Sequence, residues 1–478
     1  MRPDAPADKR HPLLPLVLSC ALFIENMDSS ALATSLPAIA ADLGTDAISL
    51  KLALTAYLLA VAMFMPVSGW IADRIGARRA FLAAVGLFLL GSAACALSAS
   101  AQALVAARFL QGTGGALMVP VGRLVLLRAV PKSELVRAMS WLTIPALIGP
   151  MIGPPLGGFI TTYFDWRGIF LINIPIGLLG IALAKRVIPD VREPPPPLDR
   201  LGLALTAPGL AAAMFGFASL GQRAVPVAAS VAALAVGAGL LAGYAVHAAR
   251  HPHPLLELRL LRIETYRAGV VGGSLFRVGV GATVLLVPLM LQLGFGLDPL
   301  QTGLLVFVSS IGAMSMKLVV TPLLRRFGFR RALLGNVLVA SALVCGFGLF
   351  RAQTPHLWLA AALFAVGCSR SLQFTSLNAI SFAEVDARAM ASATSLAGTM
   401  VQLSLSLGVV VGAHALELAA AATGRPVADP LGFRIAFAVV AAISLASAWS
   451  LWRLRDDAGS ELSGHVRAGA HDDAGAKP

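Results

Sequence analysis

Two acidic residues, Glu25 and Asp28, lie inside an otherwise apolar stretch that begins near residue 13. Three residues apart, they share one face of a helix. Charge held deep in a bilayer is costly, so such groups line polar chambers and carry function. A carboxyl group withdrawn from water holds its proton more readily and can load and release it near neutral pH. Asp28 and Glu25 are therefore both candidate proton-coupling sites. Glu25 either shares that role or makes a structural hydrogen bond to a neighbouring helix.

Five basic residues sit in comparable apolar stretches: Arg108, Arg123, Arg277, Lys317 and Arg370. Arg123 and Lys317 are near the ends of theirs, where a long side chain reaches water. Arg277 is about eight residues in, roughly 12 Å at 1.5 Å per residue. Arg370 is as central, with Gln373, Phe374 and Asn378 on its helical face. Arg277 and Arg370 either neutralise Glu25 and Asp28 or bind an anionic substrate. Ser395, Thr399, Gln402 and Ser406 form a polar stripe, for substrate contact (Gln402 foremost) or for helix–helix hydrogen bonds. His414 stands alone near a span end and is read as structural.

The elements that hold these groups are apolar helices. Of 478 residues, 57% are hydrophobic and 13% charged, with a mean hydropathy of +0.80. A soluble domain carries about 25% charged residues, whereas a membrane-spanning helix needs about 20 apolar ones. Fourteen spans are expected: 13–36, 52–72, 80–99, 103–125, 138–161, 168–187, 201–220, 226–247, 269–290, 302–323, 332–350, 357–382, 392–416 and 433–453. With both termini cytoplasmic, only Lys51, Arg167, Arg223, Arg351, Arg425 and Arg434 of the 37 basic residues fall outside, the asymmetry that orients membrane proteins. The net charge of +13 is spread over short loops, which argues against nucleic acid and for membrane lipids of the anionic inner leaflet as partners. No cleavage site follows the first apolar run, so a retained first helix is expected. Cys20, Cys95, Cys345 and Cys368 lie in apolar runs without metal-ligand spacing and read as buried thiols. No nucleotide-binding loop is present. No metal, cofactor or enzymatic activity is expected.

Residues 74–80, Arg-Ile-Gly-Ala-Arg-Arg-Ala, return at 326–332 as Arg-Phe-Gly-Phe-Arg-Arg-Ala. Duplicated halves around a central site are common in transporters. The expected organisation is an N-terminal tail 1–12, a six-helix bundle 13–187, a linker with two inserted helices 188–268, a second six-helix bundle 269–455 and a disordered tail 456–478. The inserted pair is expected to be peripheral, and residues 188–200 to be a Pro-rich linker.

Four segments carry a resemblance. Gly69-Trp70-Ile71-Ala72-Asp73-Arg74-Ile75-Gly76-Ala77-Arg78-Arg79 resembles the signature loop of the major facilitator superfamily. Arg108-Phe109-Leu110-Gln111-Gly112-Thr113-Gly114-Gly115, Gly149-Pro150-Met151-Ile152-Gly153-Pro154-Pro155-Leu156-Gly157-Gly158 and Trp166-Arg167-Gly168-Ile169-Phe170-Leu171-Ile172-Asn173-Ile174-Pro175-Ile176-Gly177 resemble its fourteen-helix drug:proton antiporter branch. Ser140 departs from a usual glycine. The resemblance, over about residues 13–455, implies an all-α integral membrane fold of two six-helix bundles with pseudo-two-fold symmetry. It implies a monomer in the cell inner membrane that exchanges protons for a small-molecule substrate, with Asp28 as proton site and Arg108 as coupling residue. The gate would be Gly69, allowing close helix approach, Gly76, making a tight turn, with Asp73, Arg74 and Arg78, and the bendable Gly153, Pro154, Gly157 and Gly158. Transport of an organic anion or metabolite is the alternative, and a non-transporting sensor a third reading.

Overall fold

The computed structural model describes residues 14–130, 135–188, 197–220, 225–386, 389–427 and 429–463, and every regular element among them is helical. Expectations on the tail 1–12, the linker residues 189–196, Arg223, the side chain of Ser140 and the tail beyond 463 lie outside the described residues.

The helices are α1 Leu14–Asp42, α2 Lys51–Phe64, α3 Ser68–Ile75, α4 Ala77–Ala96, α5 Ala101–Ala129, α6 Leu135–Tyr163, α7 Gly168–Leu171 and α8 Asn173–Val187, then α9 Arg200–Ser219 and α10 Val227–Arg250. They continue with α11 Glu264–Arg267, α12 Gly273–Leu289, α13 Pro299–Phe347, α14 His356–Ser381, α15 Met390–Thr423, α16 Pro430–Trp452 and α17 Ser460–Ser463. π-helical turns at Ala268–Gly272 and Met290–Gly294 extend α12 at both ends. Pro66 starts a 3-10 turn at Met65–Val67 between α2 and α3.

Twelve segments among the described residues are long and apolar enough to cross a bilayer. One of them, α13, has 49 residues, about 73 Å if straight, more than twice a hydrocarbon core of about 30 Å. It bends at Gly328, where φ is 69° and ψ 169°, so the expected spans 302–323 and 332–350 are its two arms. α6, 29 residues with Pro145, Pro150, Pro154 and Pro155 inside it, stands outside the twelve. The protein is a multi-pass, all-helical membrane protein. Lys51, expected in a loop, is instead fully buried at the start of α2.

The chain divides into two compact units, Met1–Ala211 with Asp298–Gly303, and Ala212–Leu297 with Leu304–Pro478. The first has a core of Leu18, Leu22, Phe81, Phe88 and Val121. The second is centred on Phe276, Leu333, Val337, Leu377 and Leu451.

The repeated heptapeptide makes the same corner in each unit. Gly76 ends α3 with φ 93°, and Gly328 breaks α13 with φ 69°. L side chains rarely adopt either conformation. Two residues on, Arg78 Nη2 donates to the Lys185 carbonyl near the end of α8, and Arg330 Nη2 donates to the Trp452 carbonyl at the end of α16 at 2.8 Å. Arg330 also pairs with Asp456. Gly459 lies against the Phe329 ring. The first residues of the expected disordered tail are thus docked on this corner, where salt bridge and ring contact hold them.

Among the twelve spans of the described residues α10 is the least covered, with 17% of its apolar window buried. Gly216 and Gly237 let α9 and α10 touch at backbone level, at Leu234 and Ala213. His414 is not alone: its Nδ1 is 2.8 Å from Glu417 Oε2 and its Nε2 2.8 Å from the Phe217 carbonyl. The cysteines also depart from expectation. Only Cys95 is buried, and Cys345 is exposed, because helices in lipid turn apolar residues outward.

Candidate functional site

The first unit brings Asp28 and Arg108 together. Arg108 Nη1 is 2.5 Å from Asp28 Oδ2, with 1% and 0% of the two side chains exposed. Asp28 Oδ1 accepts from Gln111 Nε2 at 3.0 Å and from Asn173 Nδ2 at 2.7 Å. Both amides also reach Ser92 Oγ, at 2.8 and 3.3 Å. Arg108 Nη1 further donates to Gln111 Oε1 at 2.5 Å. The guanidinium lies over the Tyr57 ring, 4.4 Å from its centroid, with the Phe170 ring 5.9 Å away. The side chains that contact the Asp28 oxygens are all hydrogen-bond donors. A proton there would displace one of them, since a protonated acid must itself donate.

Glu25 is one turn away and differently held. Its Oε1 accepts from Tyr57 Oη at 3.2 Å and its Oε2 from Asn26 Nδ2 at 3.4 Å. No cation lies within ion-pair distance of it among the described residues. Tyr57 thus touches both halves of the site: its hydroxyl holds Glu25 and its ring faces Arg108.

Glycines assemble this cluster. A Cβ on Gly91 would strike the Gln111 backbone, one on Gly112 would lie 2.5 Å from the Tyr57 carbonyl, and one on Gly115 2.6 Å from Tyr57 Oη. Bare backbone at these positions lets α2, α4 and α5 meet, which carries Tyr57, Ser92 and Gln111 to one point. α6 is seated on α1 in the same way. A Cβ on Gly149 would be 2.8 Å from the Phe23 carbonyl, one on Gly157 2.6 Å from the Ala31 carbonyl, and one on Gly153 would overlap Ser30 Oγ. Thr34 Oγ1 and Ser35 Oγ reach the carbonyls of Pro154 at 3.4 Å and Gly157 at 3.5 Å. Gly158 lies against Pro299 within the same unit. Trp166 Nε1 and Arg167 Nη1 hold Asp42 at the end of α1, at 3.1 and 2.9 Å.

The second unit holds the other candidates in a different chemical setting. Arg277 is 2% exposed. Its Nη1 donates to the carbonyls of Gly269 at 3.1 Å and Val270 at 3.4 Å, in the π-turn that loosens the helical ladder. It lies 5.6 Å from the Phe374 ring centroid, and its Nε has no partner. No carboxylate is within ion-pair distance among the described residues. Arg370 borders a small cavity of about 30 Å³ with Phe276, Thr283, Ser369 and Ser444. Gln373 Oε1 accepts from Asn336 Nδ2 at 2.8 Å, while Gln373 Nε2, Ser376 Oγ, Ser395 Oγ and Thr399 Oγ1 are buried without partners. The polar stripe of α15 therefore does not serve helix–helix bonding at Ser395 or Thr399. Gln402 is half-buried, and Asn378 is exposed.

The loop residues divide. Gly76 makes the expected turn and Arg78 the carbonyl contact above. Arg74 is exposed and Asp73 half-buried. Gly69 departs from expectation, because nothing lies within 4 Å of a Cβ built there: a small residue permits close approach but does not produce it. Arg123 and Lys317 are exposed. Sequence reasoning missed Tyr57, Ser92, Asn173 and Asn336 as site residues. A hydroxyl or amide in an apolar run was the available signal, and Gln111, three residues after Arg108, was another.

Residues 18–409 match the family described as Major Facilitator Superfamily. A chain of Serratia proteamaculans (strain 568) named for multidrug resistance, MdtD, is 37% identical over 399 residues, 83% of each chain. A chain of the same name from Escherichia coli O6:H1 is 35% identical over 405 residues, 84% of this chain and 85% of that one. Among solved structures, the POT family transporter PepTSo gives a TM-score of 0.70 at 14% identity, covering 96% of this chain and 100% of that one. The nucleoside transporter NupG, solved as a point mutant, gives 0.65 at 13% identity, covering 92% and 99%. At such identities the likeness shows the fold alone.

Proposed function

We propose that this chain, which belongs to the Major Facilitator Superfamily, exports small amphipathic organic compounds in exchange for protons by alternating access. It is a transporter and not an enzyme. The observation that carries the reading is the Asp28–Arg108 pair, sealed from solvent and completed by two amides. Protonation of Asp28 removes the charge that Arg108 balances and forces one of three donors to turn away. A buried cation left without its anion is costly, so the cluster has two distinct arrangements, the requirement for coupling a proton to a conformational change. Glu25, bound by Tyr57 and with no cation within ion-pair distance among the described residues, is a second carboxyl that takes part in the proton's route. The drive is ample: one elementary charge crossing 100 mV supplies about 2.3 kcal/mol. The names of the MdtD relatives support a drug-like cargo. The same reading has fourteen spans, both termini cytoplasmic, the cell inner membrane and a monomer, with Gly76, Arg78, Gly153 and Gly157 shaping the gate.

In proteoliposomes, Asp28→Asn is expected to abolish export driven by a pH gradient while downhill exchange of substrate persists. Full gradient-driven export by this variant would remove Asp28 from the mechanism.

A second reading has one specific observation behind it. Arg277 is buried with an unpartnered Nε and, among the described residues, no carboxylate within ion-pair distance, in a unit with further unpartnered polar atoms. On this reading an anionic group of the substrate binds there. Arg277→Ala is then expected to lose binding of anionic compounds and to keep that of cationic dyes, and equal loss of both would discard it.

A further inference from the structure

Where the π-turn Ala268–Gly272 meets the last turn of α16, the second unit has a cavity of about 260 Å³ whose lining includes Glu264, Arg267, Val271, Trp449, Ser450 and Arg453. The helices touch at Gly272, where a Cβ would overlap Ser450 Oγ, and the cavity opens beside that contact. The Arg453 guanidinium lies over the Trp449 ring, 4.5 Å from its centroid. Neither Arg267 nor Arg453 has a carboxylate within ion-pair distance among the described residues. Glu264 Oε1 accepts from the Arg455 backbone N–H at 3.2 Å, and Arg455 pairs with Asp457 at 2.7 Å. The rim is thus left with two arginines and one engaged carboxylate.

Two apolar strips run from this rim. Val271 and Leu275 are 44% and 40% exposed on one helix, and Leu445 and Trp449 are 42% and 63% exposed on the other, with Trp452 at 62%. Tryptophan is enriched where hydrocarbon gives way to headgroups, which sets the cavity at headgroup level and the strips along the hydrocarbon below. A soluble anion would use the arginines alone and leave the strips bare.

We infer that this cavity binds the headgroup of an anionic phospholipid, with Arg267 and Arg453 on the phosphate, Ser450 as a hydroxyl partner and the acyl chains along the two strips. The site is separate from the Asp28 cluster and does not depend on which cargo is carried.

Native mass spectrometry of the full chain in detergent tests it, titrating dioleoylphosphatidylglycerol and, in parallel, dioleoylphosphatidylcholine. The parent is expected to bind phosphatidylglycerol more tightly. Arg267→Gln with Arg453→Gln is expected to weaken that lipid about thirtyfold, each cation near the surface contributing a factor of about five, and to leave phosphatidylcholine unchanged. Arg267→Lys with Arg453→Lys, which keeps the charge, is expected to stay within about fivefold of the parent. Unchanged phosphatidylglycerol binding in the glutamine variant overturns the inference, as does equal loss in the glutamine and lysine variants. Displacement of the lipid by inorganic phosphate at equal concentration would overturn it in favour of a free-phosphate site.

Discussion

Arg108→Leu is expected to destabilise the protein by about 3–5 kcal/mol, the range for removing one partner of a buried ion pair. The magnitude follows from what is left behind. Asp28 is fully buried and would keep two amide donors, from Gln111 and Asn173, but no cation. Amides stabilise a carboxylate less than a guanidinium does, so the residue would have to take up a proton or draw in water. Adding Asp28→Asn to Arg108→Leu removes the stranded charge while keeping an acceptor for one amide. The double variant is therefore expected to regain part of the loss, with a coupling energy of about 1–3 kcal/mol. Thermal unfolding of the four proteins in one detergent measures it. Strict additivity would mean that the two side chains do not sense each other's charge, and the ion pair would lose its place in the coupling scheme.

The other large effect is expected at Gly157. A methyl group there would sit 2.6 Å from the Ala31 carbonyl oxygen, 2.9 Å from Ala31 Cβ and 3.0 Å from its Cα. Backbone atoms cannot swing aside as a side chain can, so α6 must lift off α1 or shift along it. Overpacking of this kind costs about 1–3 kcal/mol. The functional loss should exceed what that figure implies, because Asp28 is one turn from Ala31 and moves with α1. Gly180 supplies the control: nothing lies within 4 Å of a Cβ there, so Gly180→Ala is expected to stay within about 0.5 kcal/mol of the parent. Substrate transport and thermal unfolding read both variants. Wild-type transport by Gly157→Ala would show that the seam has slack.

The sequence carried some of this and not the rest, for identifiable reasons. Glu25, Asp28 and Arg108 stood out because charge inside an apolar run is expensive and rare. The corner at Gly76 was legible because it is written twice. Asn173 and Tyr57 were not legible, since an amide or phenol becomes informative only when a buried acceptor is known to face it. The close contact read into Gly69 belongs instead to Gly91, Gly112 and Gly157, and spacing alone does not say which glycine meets a neighbour. The long α13 shows the same limit in another form. Two spans were legible from hydropathy, while their junction depends on one residue's backbone angle at Gly328. The tail from Asp456 reads as disordered by composition, which cannot foresee that Asp456 has Arg330 beside it.

The paired corners at Gly76 and Gly328 also bear on how the two halves have been free to drift apart. A short hinge sequence, copied with its arginine, preserves the turn between consecutive helices and its tether to a more distant one without constraining what lies elsewhere. One half then holds a buried acid–guanidinium pair and the other a buried guanidinium on backbone carbonyls, each with the same joint.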